Sequence, residues 1–146
     1  ALPAGGYQVR ITSTSGAATW YGGTAHRAEA TTVSVGPGAT VTGVDISPVT
    51  TTTVSGTVTG PDGPVEGAVV WLYGPHDTWL GSRWAHTGTD GSYTVTAVPS
   101  GTYLVRVVPS SGSASAPRWY DAPVRSAATP VVVAGSPITG IDVALG

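Results

Sequence analysis

Residues 54–107 read VSGTVTGPDGPVEGAVVWLYGPHDTWLGSRWAHTGTDGSYTVTAVPSGTYLVRV, and this stretch decides the fold. Apolar residues alternate with polar or small ones, as in Ser92-Tyr93-Thr94-Val95-Thr96. A period of two sends successive side chains to opposite faces of an extended strand, so one face is buried and the other solvated. The runs are broken by Gly60-Pro61-Asp62-Gly63-Pro64, Gly74-Pro75, Asp90-Gly91 and Pro99-Ser100-Gly101. Such residues make turns because they supply a positive φ, a fixed φ or a side-chain hydrogen bond to the backbone. The pattern predicts strands near 53–59, 67–73, 79–87, 92–97, 102–108, 129–134 and 138–145. Seven short strands so spaced predict an all-β, Greek-key β-sandwich.

Composition leads to the same class. Apolar residues make up 40% of the 146, enough for a core, and Val and Ala dominate while Phe and Met are absent. β-Branched side chains fit a pleated sheet better than a helix. With 21 Gly and 12 Pro, no long uninterrupted helix is expected. Charged residues are only 10% of the chain, the formal net charge is -2, and all six cations are Arg. Nothing resembles a basic stripe, so no nucleic-acid partner is expected. So low a charge also weakens electrostatic resistance to self-association. No stretch approaches the roughly 18 continuous apolar residues of a membrane span, so no membrane insertion is expected.

Cysteine is absent, which removes disulfides, thiol catalysis and Cys-based metal sites. That fits a bacterial surface or secreted protein. The lack of Lys removes Lys–Asn and Lys–Asp isopeptide crosslinks as well. The chain starts at Ala1 with no visible signal peptide, and is expected to be a mature form or an excerpt of something longer.

Working outward from the central stretch reveals an internal repeat. Leu2 to Ile11 read LPAGGYQVRI, and Val98 to Val107 read VPSGTYLVRV, an offset of 96 positions at the tyrosine. Trp20-Tyr21 recurs as Trp119-Tyr120, and Ala30-Thr31-Thr32-Val33 as Ala128-Thr129-Pro130-Val131. Val41-Thr42-Gly43-Val44-Asp45-Ile46 recurs as Ile138-Thr139-Gly140-Ile141-Asp142-Val143. Residues 50–146 therefore read as one complete β-sandwich repeat, and residues 1–49 as only the C-terminal half (E-F-G-like strands) of a homologous one. Ser47 to Thr52 is the expected linker between them. A half sandwich exposes a strand edge and an apolar face, and both seek partners. Two readings stand: an excerpt of a longer tandem array, or a half-module completed by strands from another molecule.

The central stretch resembles the carboxypeptidase regulatory-like domain, a transthyretin-like (prealbumin-like) sandwich related to the B-type repeats of bacterial surface adhesins. The matching residues are Gly56-Thr57-Val58, then Gly63-Pro64-Val65-Glu66-Gly67-Ala68-Val69-Val70-Trp71-Leu72, Asp90-Gly91-Ser92-Tyr93 and Pro99-Ser100-Gly101-Thr102-Tyr103-Leu104-Val105. The family usually has a Thr-Asp pair before the hairpin, whereas here Thr87 is followed by Gly88, which removes an acidic side chain from that turn. The resemblance implies non-catalytic stalks, spacers, adhesive repeats or accessory modules of secreted or cell-surface bacterial proteins.

The residues offer little chemistry. Of the three histidines, His76-Asp77 sits in a predicted loop, His86 in a predicted strand and His26 in the half-module. No Ser or Thr lies in a nucleophile elbow or shows the spacing of a triad, so no catalytic residue is assigned. The carboxylates Glu29, Asp45, Asp62, Glu66, Asp77, Asp90, Asp121 and Asp142 form no closely spaced oxygen-rich loop, so no metal and no cofactor is expected. Asp45 and Asp142 read as solvent-facing ladder positions.

The aromatics carry the strongest signal. With Ala68, Val70 and Leu72 facing in, Trp71 and Tyr73 face out, and Trp84, His86 and Arg106 follow on neighbouring strands. Trp71, Tyr73, Trp84, His86 and Arg106 are thus the candidate binding face, bordered by Trp79. Three uses compete: cover by the loop carrying Trp119-Tyr120, contact with neighbouring repeats or identical subunits, and stacking on the sugar rings of a polysaccharide. The leading expectation is a structural repeat building a stalk, fibre or self-associating surface assembly, with strand exchange between subunits as one route. The alternative is a carbohydrate-binding accessory module of a secreted hydrolase.

Overall fold

The computed structural model describes residues 1–14, 17–74 and 79–146, without the side chains of 79–82. His76 and Asp77 lie outside the described residues, and so does the side chain of Trp79. The chain divides into two compact units, residues 1–50 and 51–146.

Among the described residues, the first unit holds four short strands, β1 (Gly5–Tyr7), β2 (Arg10–Thr12), β3 (Ala18–Trp20) and β4 (Val33–Val35). β1 pairs antiparallel with β4, Tyr7 opposite Val33, and β2 with β3, Arg10 opposite Trp20. The connection from β3 to β4 passes through a single 3-10 turn at Arg27–Glu29. It is tied down by Tyr21 N–H donating to the Val9 carbonyl at 2.8 Å and Thr31 N–H to the Tyr21 carbonyl at 2.8 Å. Residues 36–50 belong to no strand.

The second unit begins with β5 (Thr51–Gly60), β6 (Gly63–Pro64), β7 (Val69–Tyr73) and β8 (Trp79–His86). There follow β9 (Ser92–Pro99), β10 (Gly101–Val108), β11 (Arg118–Trp119), β12 (Val131–Val133) and β13 (Val143–Ala144). One sheet runs β11–β10–β7–β8 with β12 on the start of β10, and the other runs β13–β5–β6 with β9 also on β5. Val54, Val58, Tyr93 and Val95 from one sheet meet Val70, Leu72, Tyr103, Val105 and Val107 from the other in a single buried core. The fold is an all-β sandwich. Alternation along β9 and β10 is what delivers those side chains inward.

Turn chemistry follows the sequence closely. The Asp90 carboxylate accepts from Ser92 N–H at 3.0 Å and from the Ser92 hydroxyl at 2.6 Å. Gly91 has φ 74°, and a side chain there would also run into the Val58 carbonyl, so the position is held by glycine for two reasons. Thr87 keeps a structural role without its usual acidic neighbour: its hydroxyl accepts from Ala68 N–H at 2.9 Å and donates to the Val65 carbonyl.

Several expectations need adjustment. Thr51 and Thr52, expected in the linker, are already in β5, because Pro99 and Val98 at the end of β9 give them ladder partners. β6 and β11 were not expected, since two-residue strands carry no periodicity. The final strand is shorter than expected: Gly140 adopts φ 74° and breaks it, leaving a bridge at Ile138 and a ladder at Val143–Ala144. Asp142 is exposed as expected, but its carboxylate also accepts both the Thr57 N–H and the Thr57 hydroxyl, each at 2.8 Å.

Candidate functional site

Four adjacent strands bring the outward aromatics into one line. Trp84 on β8 lies opposite Trp71 on β7, Trp71 opposite Arg106 on β10, and Arg106 opposite Trp119 on β11. Directly opposed residues share a face, and Val70, Leu72, Val105 and Val107 beside them are buried, so this line faces outward. At the usual inter-strand spacing it extends about 14 Å.

The rings form two groups of contacts along this line. Trp71 and Trp84 have centroids 6.0 Å apart at 42°, and His86 meets Trp84 edge-on at 4.9 Å. At the other end Tyr73 packs on Trp119 at 5.3 Å. The guanidinium groups of Arg106 and Arg125 each lie over the Trp119 ring, 5.8 Å from its centroid. Such cation–π contacts fix an exposed ring at modest energetic gain. The two ends differ: Trp84 is 42% exposed and His86 exposed, whereas Trp71, Tyr73, Arg106 and Trp119 are half-buried.

Of the expected face, Trp71, Trp84 and His86 touch in series, and Trp119 joins Tyr73 to Arg106. The backbone of Trp79 pairs with Tyr73. Trp119 is a strand residue at the edge of the sheet, so it extends the face instead of lidding it. Trp119 and Arg125 were not placed on the face by the sequence, in which the loop carrying Trp119-Tyr120 stood only as one competing cover for it. Among the described residues, no group of three or more His, Cys, Asp or Glu is arranged to hold a metal ion. What the face offers chemically is ring surface flanked by guanidinium hydrogen-bond donors.

A second surface lies in the first unit. Tyr7, Val9, Val33, Val35, Val41 and Val44 line an open groove of about 610 Å³.

The sequence pattern of the carboxypeptidase regulatory-like domain matches residues 53–146, well over half of the chain. The chain belongs to that family. The match opens inside β5 and runs to the last residue, so the regulatory-like domain takes in the whole aromatic line. Two solved structures of the major pilin subunit of Bacillus cereus, one of them a variant, share 12% identity with the chain. Their TM-scores are 0.49 and 0.46, with 99% and 100% of this chain covered, and the chain spans 40% of the pilin's length in each. No curated protein matches the chain. Among the described residues no helix is long and apolar enough to cross a membrane.

Proposed function

We propose that the chain is a non-catalytic, extracellular structural repeat module that builds a bacterial stalk, fibre or surface assembly. The observation that carries this reading is the recurrence of one construction in both units. Tyr7 pairs with Val33 as Tyr103 pairs with Val131, and Arg10 pairs with Trp20 as Arg106 pairs with Trp119. Two arginines lie over the tryptophan in each case, Arg10 and Arg27 over Trp20, Arg106 and Arg125 over Trp119. A unit used twice with its packing details preserved is a building block, and residues 1–50 are read as the second half of one. Its partners are neighbouring repeats, which reach it at the groove of the first unit by adding strands, and identical subunits, which reach it at the aromatic line by ring contact.

Light scattering over a concentration series tests this on the chain as it stands. Mass that grows with concentration is the expected result. A monodisperse monomer at high concentration, with Trp71 and Trp84 still open to an aqueous quencher, would overturn it.

One observation favours a second reading. Trp84 is exposed at the open end of an aromatic line with arginines beyond it, an arrangement suited to a polysaccharide. A carbohydrate-binding accessory module would be slowed on a glycan-loaded affinity gel, and Trp84→Ala would weaken the retardation. No retardation across a broad glycan panel rejects that reading.

A further inference from the structure

The segments 41–46 and 138–143 have nearly the same sequence, yet only the second is paired. In the second unit it runs parallel to β5. Ser55 N–H donates to the Ile138 carbonyl at 2.9 Å, and Ile138 N–H returns to Thr53 at 2.9 Å. Ile141 N–H donates to Ser55 at 3.1 Å and Leu145 N–H to Thr59 at 2.7 Å. Two side-chain contacts add specificity: Asp142 takes both hydrogens of Thr57, and the Tyr93 hydroxyl donates to the Ile141 carbonyl at 2.7 Å. The strands approach so closely that any Cβ on Gly56 would collide with the Ile141 backbone.

The first unit carries the acceptor half of this arrangement. Val44 and Asp45 are the counterparts of Ile141 and Asp142, and Tyr7, Val9, Val33 and Val35 those of Tyr103, Val105, Val131 and Val133. The latter four, with Ile141, belong to the buried core. Their counterparts line the groove, with Val41 42% and Leu2 65% exposed.

We infer that this groove is a receptor for a half-repeat of the kind formed by residues 51–96. Its leading strand would carry the pattern Val-Ser-Gly-Thr-Val of residues 54–58 and lie parallel to residues 41–47. Each element of the pattern has a reason. The glycine permits the approach to the Val44 backbone, the threonine supplies two hydrogens to Asp45, and the flanking valines fill the groove between Tyr7, Val9 and Val33. A tyrosine on the following hairpin reaches the Val44 carbonyl.

Counting decides the source of the occupant. Residues 1–146 hold one such donor, residues 51–96, and two acceptors, residues 1–50 and 97–146. Exchange among identical copies moves the empty acceptor from place to place and never fills it. The occupant is therefore a further donor half-repeat, and a second copy of residues 1–146 does not satisfy the groove. The inference rests on reading residues 1–50 as a half-repeat and is independent of whether the chain assembles.

The offset of 96 makes the test direct: residues 51–96 fused ahead of Ala1 continue the sequence into the first unit as residues 51–96 continue into Ala97. Amide exchange is then read at Tyr21 and Val44 by NMR. Protection is expected to rise by at least about tenfold over the unfused chain, and a fused segment carrying Gly56→Val is expected to give none of that gain. Unchanged exchange, or equal protection with the Gly56→Val segment, overturns the inference. As a second measurement on the unfused chain, the peptide of residues 51–60 is titrated in. Shifts centred on Val44 and Asp45 that disappear in Asp45→Ala support the receptor, and their absence overturns it. Self-association is scored separately: a chain that assembles without accepting the segment rejects this inference alone, and one that accepts it but stays monomeric rejects assembly alone.

Discussion

Tyr7 and Tyr103 make the same hydrogen bond, a hydroxyl donated at 2.7 Å to the carbonyl of the proline four residues earlier, Pro3 or Pro99. Tyr21 and Tyr120 donate the same N–H to the same place, Val9 at 2.8 Å and Val105 at 2.9 Å. What differs is the other side of the sheet. Tyr103 is in a core and Tyr7 borders an open groove. The comparison separates two layers of structure: local contacts follow from the nearby sequence, whereas burial needs strands from elsewhere in the chain or beyond it. Stability should divide along the same line.

The largest contrast is expected at glycines. Gly56→Ala places a methyl group inside the Ile141 backbone, so the ladder must part. A loss of about 3 kcal/mol is expected in denaturant unfolding of the second unit. Gly6→Ala in the first unit meets only the Thr32 methyl at 3.0 Å, and about 0.5 kcal/mol or less is expected there.

Next come the valines. Val105→Ala removes two buried methyl groups from between the sheets and should cost about 2 kcal/mol. Val9→Ala, at the half-buried counterpart, should cost well under about 1 kcal/mol. Equal costs would mean that the groove is covered in solution.

High pH sharpens the comparison from the second unit's side. Burial pushes the Tyr103 phenol up to about 12 against the opposing pull of the Arg83 guanidinium. Burial, helped by the Asp142 carboxylate and by Tyr120, raises the Tyr93 phenol above its ordinary value as well. Both shifts are upward, so the stability they contribute is complete below the unfolded-chain value of about 10. It is lost as pH rises through the folded-state values, about 12 for Tyr103. Chemical denaturation at stepped pH should show the midpoint falling across that window, and Tyr103→Phe should blunt the fall.

The smallest effect is expected for the tyrosine hydrogen bond. Tyr103→Phe removes it from a buried site and should cost about 1 kcal/mol, whereas Tyr7→Phe loses an exposed bond and should cost about half as much or less.

The sandwich was legible because alternation at Tyr93-Thr94-Val95 and Tyr103-Leu104-Val105 states which side chains go inward. The aromatic line was legible for the same reason once β7, β8 and β10 were taken as neighbours. Trp119 was not placed there because β11 is a two-residue strand, too short for a period, and its seat depends on pairing with Arg106. Asp142 was read only as a solvent-facing ladder position because nothing near it in sequence shows Thr57, which lies 85 positions away. Long-range pairing across strands leaves no trace in local pattern.

The central claim is that residues 1–50 are built like the second half of the complete repeat but lack the strands that bury it. Native-state amide exchange on the dilute, unmodified chain tests it most directly, at Tyr21 and Tyr120, whose N–H groups make the same bond in the two units. The account predicts at least about a hundredfold faster exchange at Tyr21 than at Tyr120. Equal protection at the two tyrosines would contradict it.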